Sequence, residues 1–430
     1  MKLPISDSRG RPVHLTYCTN IHPGETWPEV LEVVRSHVKA VKQRVSPHEP
    51  FGMGLRLSDR AVRTLIAAPD VLQDFRDELD REGLYVFTLN GFPYGPFHGQ
   101  PVKETVYRPD WLEPERISYT QRLAGVLAAL LPRGPRGPGP ALGLLEGSIS
   151  TVPGSFRGRA AAHGAALATI AENLRMAAAT LARIRADGGP TMGLALEPEP
   201  HCVLETTAEA VRFFEQHLYT EASVRAFQPL TGMSRVEAAE ALHRHLGLCL
   251  DACHAAVEYE APDETLALLK KSAIPVFKLQ VSAGLRVPVP SARALAVLQE
   301  FADGVYLHQT VVSRGGALVR HLDLPDALAA AGAGDIGDEW RIHYHVPVFT
   351  NEFSEGFSRL EPTSAFLKEL LTLFSREPLC PHVEVETYTW DVLPEALRGA
   401  PLDDAIAREL AFTHNALVPG RIGEDAGGMP

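Results

Sequence analysis

The sequence predicts an α/β fold, a (β/α)8 TIM barrel, from three observations. Short apolar β-type runs alternate with longer helical stretches along most of the chain, which is typical of βα units around a parallel sheet. We count eight such runs, the number of strands in this barrel. Acidic residues follow several of them, at the strand ends where barrels carry functional groups. A doubly wound open sheet is the alternative, and 430 residues also leave room for two ordinary domains.

The candidate strands are rich in β-branched and aromatic residues and are bounded by turn formers. In chain order they are VHLTYCT (13–19), GMGLRL (52–57), LYVFTLN (84–90), LLEGSIS (144–150), GLALEPE (193–199), LGLCLD (246–251), PVFKLQVS (275–282) and HVEVETYT (382–389). Three intervening stretches place apolar residues at helical spacing with charges on the other face, as outer barrel helices do. These stretches are 27–45, 61–83 and 160–189.

Two further strand-like segments, 304–312 and 339–349, fall between the seventh and eighth strands. They predict an insertion at about 304–350, at one end of the barrel. The run PRGPRGPGP (132–140) contains too much proline and glycine for a helix or a strand interior, so it predicts a loop. We therefore expect one barrel domain over 1–417, followed by a flexible C-terminal tail at 418–430.

The composition restricts the partners and the compartment. A formal net charge of −12 repels polyanions, which disfavours nucleic acid as a partner. The five cysteines show no CxxC spacing, as expected for reduced thiols in the cytosol. No apolar run approaches the roughly 20 residues that span a bilayer, and the N-terminus lacks a signal-peptide core. We expect a cytoplasmic protein with no transmembrane segment, and the absence of GxGxxG and P-loop motifs gives nucleotide cofactors no support.

Carboxylates end the later candidate strands. Glu197 and Glu199 follow the fifth, Asp251 ends the sixth, and Glu384 and Glu386 belong to the eighth. Acids pointing into a barrel crowd near its axis, so they require a cation or a retained proton. The expected cofactor is a divalent ion, Zn²⁺, Mn²⁺ or Mg²⁺, among which the residue types do not choose. Glu386 is the expected ligand of strand eight, and Glu384 is expected to bind substrate or to lie in a lower layer.

Histidines add candidate ligands. His254 follows Asp251 by one helical turn and faces the same way, so we expect both at the metal, with a helix cap formed by Asp251 as the alternative. His343 and His345 in IHYHVP are two apart, so an extended segment would point both to one face. We expect His345 to bind the metal and His343 to bind substrate, with a purely structural pair as the alternative.

Polar and aromatic residues on the N-terminal strands and loops suit a polyhydroxylated small-molecule substrate, because such a substrate needs donors for hydroxyls and rings for apolar faces. The remaining candidates are Asn20, His22, Arg56, Asn90, Phe92, His98 and, at the end of strand seven, Gln280. Arg56 would meet a phosphate or pair with an acid. Loop packing alone is the alternative explanation of the aromatic residues.

The segment DACHAAVEYE (251–260) resembles the D-x-C-H segment of the xylose isomerase-like barrel superfamily, which includes sugar isomerases, ketose 3-epimerases, inosose-processing enzymes and endonuclease IV. LTYCTNIHPGETW (15–27) and VEVETYTWDVLP (383–394) resemble, more narrowly, the E protein (EboE) of the bacterial ebo gene cluster, a metabolite-traffic family with a sugar-isomerase-like barrel. The resemblance implies Glu197, Asp251 and Glu386 as metal-binding acids. It also implies other proteins of the same gene cluster as partners, and it leaves the oligomeric state open.

The chain departs from the superfamily at strand seven, where Gln280 stands in place of the usual metal-binding histidine and His345 would substitute. The resemblance implies a metal-dependent isomerase or epimerase acting on a sugar, sugar phosphate or cyclitol, with Glu197 and Glu386 as the catalytic acid–base pair. Two alternatives are a non-catalytic metabolite carrier or scaffold and an endonuclease IV-like phosphodiesterase. The acidic net charge and the missing histidine count against the phosphodiesterase.

Overall fold

The computed structural model describes residues 1–132, 145–332, 334, 336–353, 355–357 and 359–418. Its strands, in chain order, are β1 Lys2–Ser6, β2 Pro12–Tyr17, β3 Phe51–Arg56, β4 Leu84–Asn90, β5 Gly147–Thr151, β6 Met192–Leu196, β7 Leu246–Asp251, β8 Val276–Val281, β9 Leu285–Val287, β10 Thr310–Arg314, β11 Ala317–His321, β12 Glu339–Ile342, β13 Glu361–Pro362 and β14 His382–Val385. All eight predicted barrel strands are among them, as β2 to β8 and β14.

The main sheet has the order β1-β2-β14-β8-β7-β6-β5-β4-β3. Its barrel strands pair in parallel, and β1 is added antiparallel to β2. The barrel closes between β2 and β3. Cys18 bridges Gly54 there, the Gly54 N–H donates to Thr16 Oγ1 at 3.1 Å, and the Arg56 N–H donates to Thr19 Oγ1 at 2.9 Å. The predicted (β/α)8 barrel is confirmed, and the open-sheet alternative is wrong.

α-Helices separate most of these strands along the described part of the chain. They are α1 Trp27–Val33, α2 Lys39–Val45, α3 Asp59–Ala67, α4 Pro69–Glu82, α5 Pro114–Leu130, α6 Arg157–Ala161, α7 Ala166–Ala186, α8 Thr207–Phe213, α9 Glu221–Thr231, α10 Arg235–His245, α11 Ala252–Val257, α12 Pro262–Ser272, α13 Ala292–Leu298, α14 Leu324–Gly332, α15 Ser364–Arg376, α16 Glu395–Arg398 and α17 Leu402–Leu417. A π-helical turn, Val34–Val38, joins α1 to α2, so the predicted helix 27–45 is continuous. Among the described helices, none combines the length and the apolar character that crossing a bilayer requires.

The stretch 61–83, expected as one helix, is divided into α3 and α4 at Ala68. The ring of Pro69 disfavours the helical conformation of the preceding residue, and Ala68 has φ −129° and ψ 79°. The stretch 160–189 is similarly divided, into α6 and α7.

A second, antiparallel sheet with the order β11-β10-β12-β9-β13 lies between barrel strands β8 and β14 in the sequence. The predicted insertion at 304–350 contributes β10, β11 and β12. The sheet also takes β9 and β13 from outside that range, because β9 pairs with both β12 and β13. The predicted loop at 132–140 and the predicted tail at 418–430 lie, apart from Pro132 and Val418, outside the described residues.

The barrel interior below its upper rim is partly polar. Lys278 Nζ lies 2.7 Å from Glu384 Oε2 and 3.2 Å from Ser150 Oγ, and both charged side chains are fully buried. Gly54 on β3 leaves the room that this pair needs, since a Cβ there would lie 1.6 Å from Glu384 Oε1. Glu384 therefore belongs to the lower layer, one of the two places predicted for it.

Candidate metal centre

Three buried carboxyl groups converge at the carboxyl ends of the barrel strands. Glu197 follows β6, Asp251 ends β7 and Glu386 follows β14. One carboxylate oxygen from each lies within 4.8 Å of the others. The parallel strands bring these acids together because their carboxyl ends share one rim of the barrel.

The electrostatic surroundings of these acids call for a cation. Burial first, and then the charges of Glu386 and Asp251, raise the pKa of Glu197 well above its ordinary value. Burial, followed by Asp251 and Glu384, does the same to the pKa of Glu386. Within the described residues, Glu197 Oε2 and Asp251 Oδ2 have no hydrogen-bond partner. Unpaired buried carboxylate oxygens are costly unless a cation or a proton neutralises them.

Three histidines near these acids share one feature, a proton on Nδ1. Nδ1 of His254, His343 and His345 lies 3.0 Å from Pro198 O, 2.8 Å from Gln309 Oε1 and 2.6 Å from Glu386 O respectively. Each of these oxygens can only accept, so each Nδ1 carries the proton and each Nε2 presents a lone pair. Metal-ligating histidines are usually oriented in this way.

The Nε2 atoms support the same interpretation. Those of His254 and His343 are 3.1 Å apart, a distance that a proton on one ring or a shared cation would bridge. Within the described residues His345 Nε2 has no partner. Burial lowers the pKa of His345 to about 4 and that of His343 well below its ordinary value, which keeps both rings neutral, as metal ligands must be.

The donors can be divided into two ligand sets that share no residue. Glu197, Asp251 and Glu386 form one triad, and His345 approaches it within 4.8 Å of Asp251. Glu199, His254 and His343 form the second. Carboxylate and imidazole donors together fit Zn²⁺ or Mn²⁺, and the carboxylate-rich first set also fits Mg²⁺.

Side-chain amides hold Glu386 in place. Asn20 Nδ2 and Asn90 Nδ2 donate to Glu386 Oε1 at 2.6 and 2.8 Å, and Gln280 Nε2 donates to Oε2. The other end of the Gln280 amide accepts the Cys249 thiol at 2.8 Å. The carbonyl of Gln280 thus points away from the acid triad, and its amide nitrogen orients the carboxylate of Glu386.

A pocket opens over these groups. Its polar wall consists of Asn20, Asn90, Glu197, Glu199, His254, His343 and Glu386. Its apolar wall includes Phe92, Phe97, Val102, Tyr306, Leu307 and Tyr388. Four of the predicted substrate-binding residues, Asn20, Asn90, Phe92 and His343, therefore line the pocket together with both predicted acid–base residues.

The other five predicted substrate-binding residues, His22, Arg56, His98, Gln280 and Glu384, are not among the residues that line it. Arg56 pairs with Glu25 at 2.6 Å instead of reaching the pocket. His22 stacks on His37 with ring centroids 4.4 Å apart. His98 contacts the Asn20 carbonyl and lies 3.1 Å from the Tyr306 hydroxyl, behind the lining residues.

The sequence interpretation assigned no site role to several residues that the structure brings to the site. Glu199 enters the second ligand set, and Tyr107 donates to Glu199 Oε1 at 2.6 Å. Gln309 Nε2 donates to the Tyr107 hydroxyl at 2.6 Å and to Pro200 O at 3.2 Å, which leaves Gln309 Oε1 for His343. The position of Glu199, two residues after Glu197, was a usable signal. Tyr107 and Gln309 are 202 residues apart and carry no local pattern.

No protein family model and no curated protein matches the chain. Similar solved structures include a xylose isomerase-like TIM barrel protein from Mycobacterium smegmatis in complex with magnesium, with a TM-score of 0.48, 10% identity, and coverage of 96% of this chain and 98% of that one. D-psicose 3-epimerase with D-tagatose from Clostridium cellulolyticum H10 has a TM-score of 0.44 and 10% identity, and the match covers 94% of this chain and 99% of that one. The IOLI protein with a zinc atom has a TM-score of 0.40 and 12% identity, and the match covers 94% of this chain and 98% of that one. At these identities and scores the likeness carries no functional argument.

Proposed function

We propose that this protein is a metal-dependent isomerase or epimerase acting on a polyhydroxylated carbonyl compound, in the class of sugars, sugar phosphates and cyclitols. The observation that carries the proposal is the position of Glu197 and Glu386. These two buried carboxyl groups come from separate strands, both line the pocket, and both belong to the acid triad that could hold a cation. Proton abstraction next to a carbonyl needs such a pair of acid–base groups.

Glu197, Asp251, His345 and Glu386 would hold a divalent ion, with Glu199, His254 and His343 as a further ligand set. Such an ion supplies Lewis acidity, which stabilises negative charge on a substrate oxygen. Asn20 and Asn90 keep the Glu386 carboxylate oriented, and the remaining oxygen of Asn20 can face a substrate hydroxyl, whereas that of Asn90 accepts the Phe92 N–H at 3.0 Å. Asn20 Oδ1 has no partner among the described residues, which leaves it available for this contact.

Proton transfer would fall to Glu197 and Glu386. Glu197 Oε2 has no protein partner among the described residues, so it can take a proton from a substrate in the pocket without breaking an existing bond. Burial raises the pKa of both glutamates, which brings their proton affinity closer to that of an effective base at neutral pH. One residue would remove the proton and the other would return it.

A non-catalytic carrier or scaffold is the second candidate, and one observation favours it. Both oxygens of Glu386 are engaged by amide donors, from Asn20 and Asn90 on one side and from Gln280 on the other. A carboxylate held in this way can bind a cation and a ligand without ever exchanging a proton. The same metal ligands would serve both functions.

Replacing Glu386 by Gln separates the two candidates. Ketoses, their phosphates and inososes are incubated with the metal-loaded protein, and products are identified by chromatography. Glu386→Gln keeps the volume and one oxygen ligand but removes the base, so turnover should fall by at least about a hundredfold while metal affinity falls modestly. The exposed Glu32→Gln is the matched control and should change neither.

Two outcomes would contradict the assignment. Turnover within about threefold of the parent, a barrier change under roughly 0.7 kcal/mol, would exclude Glu386 as the base. No product from any compound that the protein demonstrably binds would favour the carrier.

A further inference from the structure

The two walls of the pocket differ in chemistry. The charged groups lining it are acids, Glu197, Glu199 and Glu386, and they lie on the side of the ligand sets. The other side is made of aromatic and aliphatic side chains. Rings of Phe97, Tyr306 and Tyr388 contact one another there, with centroids 5.1 to 5.3 Å apart.

This aromatic wall is held in place by hydrogen bonds between distant segments. The N–H groups of Val102 and Lys103 donate to the Val305 carbonyl at 2.8 and 3.2 Å, which joins the loop after β4 to the segment before β10. Tyr306 OH lies 3.1 Å from His98 Nδ1. The side chains of Phe97, Val102 and Tyr306 are at most 5% exposed, so the wall is preformed rather than a loose surface.

The pocket offers no basic side chain to a phosphate group. Of the described residues, those lining it include no lysine and no arginine. Arg56, the one arginine predicted at this end of the barrel, is occupied by Glu25 and by the carbonyl oxygens of Gly24 and Gly95. Phosphate recognition normally uses arginine or lysine side chains or backbone N–H groups. Apart from a bound divalent ion, a phosphate in this pocket would face carboxyl groups and apolar side chains.

We propose that the substrate is an unphosphorylated polyhydroxylated carbonyl compound carrying a flat apolar substituent; this inference rests on the function proposed above. Its hydroxylated end lies against the acids and the amides of Asn20 and Asn90. Its substituent lies on the rings of Phe97 and Tyr306. The acids and these rings line the same pocket, so one ligand can contact both walls.

Calorimetric binding to the metal-loaded full chain tests the inference. The probes are fructose, psicose, tagatose and an inosose, each as the free compound, as a benzyl ether and as a phosphate ester. On at least one of these scaffolds we expect the benzyl ether to bind at least tenfold tighter than the free compound, and the phosphate ester to bind more weakly than the free compound.

The outcomes separate this inference from the function on which it rests. If free and benzylated forms bind within threefold of each other on every scaffold that binds, or if a phosphate ester binds most tightly, the substrate class is wrong and the isomerase proposal stands. If no probe binds in any form to protein of normal metal content, the proposed function itself is wrong, and this inference is lost with it.

Variants of the aromatic wall test whether the apolar substituent binds there. Phe97→Leu and, independently, Val102→Ala should reduce the ratio of benzyl-ether to free-compound affinity at least fivefold. Phe213→Leu replaces a buried phenylalanine of α8 that does not line the pocket, so the ratio should be unchanged. Equal ratios in the parent protein and in both wall variants, with thermal melting showing that all are folded, would place the substituent elsewhere and overturn the inference.

Discussion

Asp251 shows at the scale of one residue how a side chain serves both structure and chemistry. Its Oδ1 accepts the His254 N–H at 3.0 Å, which caps α11, and the Ser282 hydroxyl at 2.7 Å. Its Oδ2 has no partner within the described residues and belongs to the acid triad. The cap and the ligand, which the sequence presents as alternatives, are compatible because each uses a different oxygen.

Asp251→Asn should therefore separate metal binding from folding. The amide keeps an oxygen for the cap but replaces the free carboxylate oxygen with an NH2 group, which cannot bind a cation. We expect metal affinity to fall by at least about tenfold, while stability in the presence of a chelator changes by about 1 kcal/mol or less. Metal titration and urea unfolding measure the two effects.

Ser282→Ala is the matched control for that substitution. It removes a donor to Oδ1 and leaves Oδ2 intact, so metal affinity should fall less than in Asp251→Asn. Equal losses in the two variants would contradict the division of tasks between the oxygens.

The acids of the site were predictable from the sequence because strand ends can be located by local patterns. Glu197, Asp251 and Glu386 each end or follow a strand with a clear β-type composition. The orientation of the histidines was not predictable in this way. It depends on hydrogen bonds such as the one between His343 and Gln309. These two residues are neighbours because β10 pairs with β12 in the second sheet.

At the scale of elements, helix α17 is joined to the rim of the barrel through one buried carboxyl group. Glu409 Oε1 accepts the Thr387 hydroxyl at 2.7 Å and the Val348 N–H at 3.1 Å. These residues stand in the loop after β14 and in the segment that follows β12. Burial raises the pKa of Glu409 to about 7, so the native state favours its neutral form near neutral pH.

Glu409 should make stability decrease as the pH rises. Its folded-state pKa of about 7 lies above the ordinary value of 4.5, so its stabilising contribution is complete below about pH 4.5 and is lost as the pH rises through 7. Between pH 5 and pH 8 this loss is on the order of 3 kcal/mol. The Glu409→Gln side chain does not titrate, so the unfolding free energy of this variant should lack that pH-dependent loss. Unfolding free energies of both proteins at the two pH values measure it, and an identical pH dependence would contradict it.

The elements themselves were predictable to different degrees. Each barrel strand has a continuous β-type run, and these runs could be located directly. The second sheet was only partly recognisable, because β9 and β13 have three and two residues, too few for a period to show. The break between α3 and α4 was signalled by Pro69, which the prediction of one helix at 61–83 did not use.

At the scale of the whole molecule, the ligand sets join parts of the chain that are far apart in sequence. Glu197, Asp251 and Glu386 stand on the barrel, whereas His343 and His345 follow β12 of the second sheet. A cation bound by both groups would cross-link the barrel and the segment that follows the second sheet. Its binding would therefore add to the free energy of unfolding of the whole chain.

Metal removal should consequently lower the thermal unfolding midpoint. An ion present at a hundred times its dissociation constant adds about 2.7 kcal/mol to stability, which a chelator would remove. Elemental analysis of protein purified without added metal should find about one equivalent of a divalent ion, rising to about two on reconstitution if both ligand sets fill. Glu199→Gln should lose only the second equivalent. Less than a tenth of an equivalent, with no uptake on reconstitution, would contradict the metal centre.

The join between β2 and β3 has a consequence for how the barrel opens. Part of the backbone ladder is replaced there by the hydroxyl groups of Thr16 and Thr19, which accept the N–H groups of Gly54 and Arg56. A hydroxyl can rotate away while both strands stay in place, so these amide protons should reach solvent more readily than those of a strand laddered on both sides. In deuterium exchange, the peptide covering 51–56 should gain mass before the peptide covering 246–251. Asn20 lies one residue beyond Thr19, so each such opening would also loosen the donor that orients Glu386.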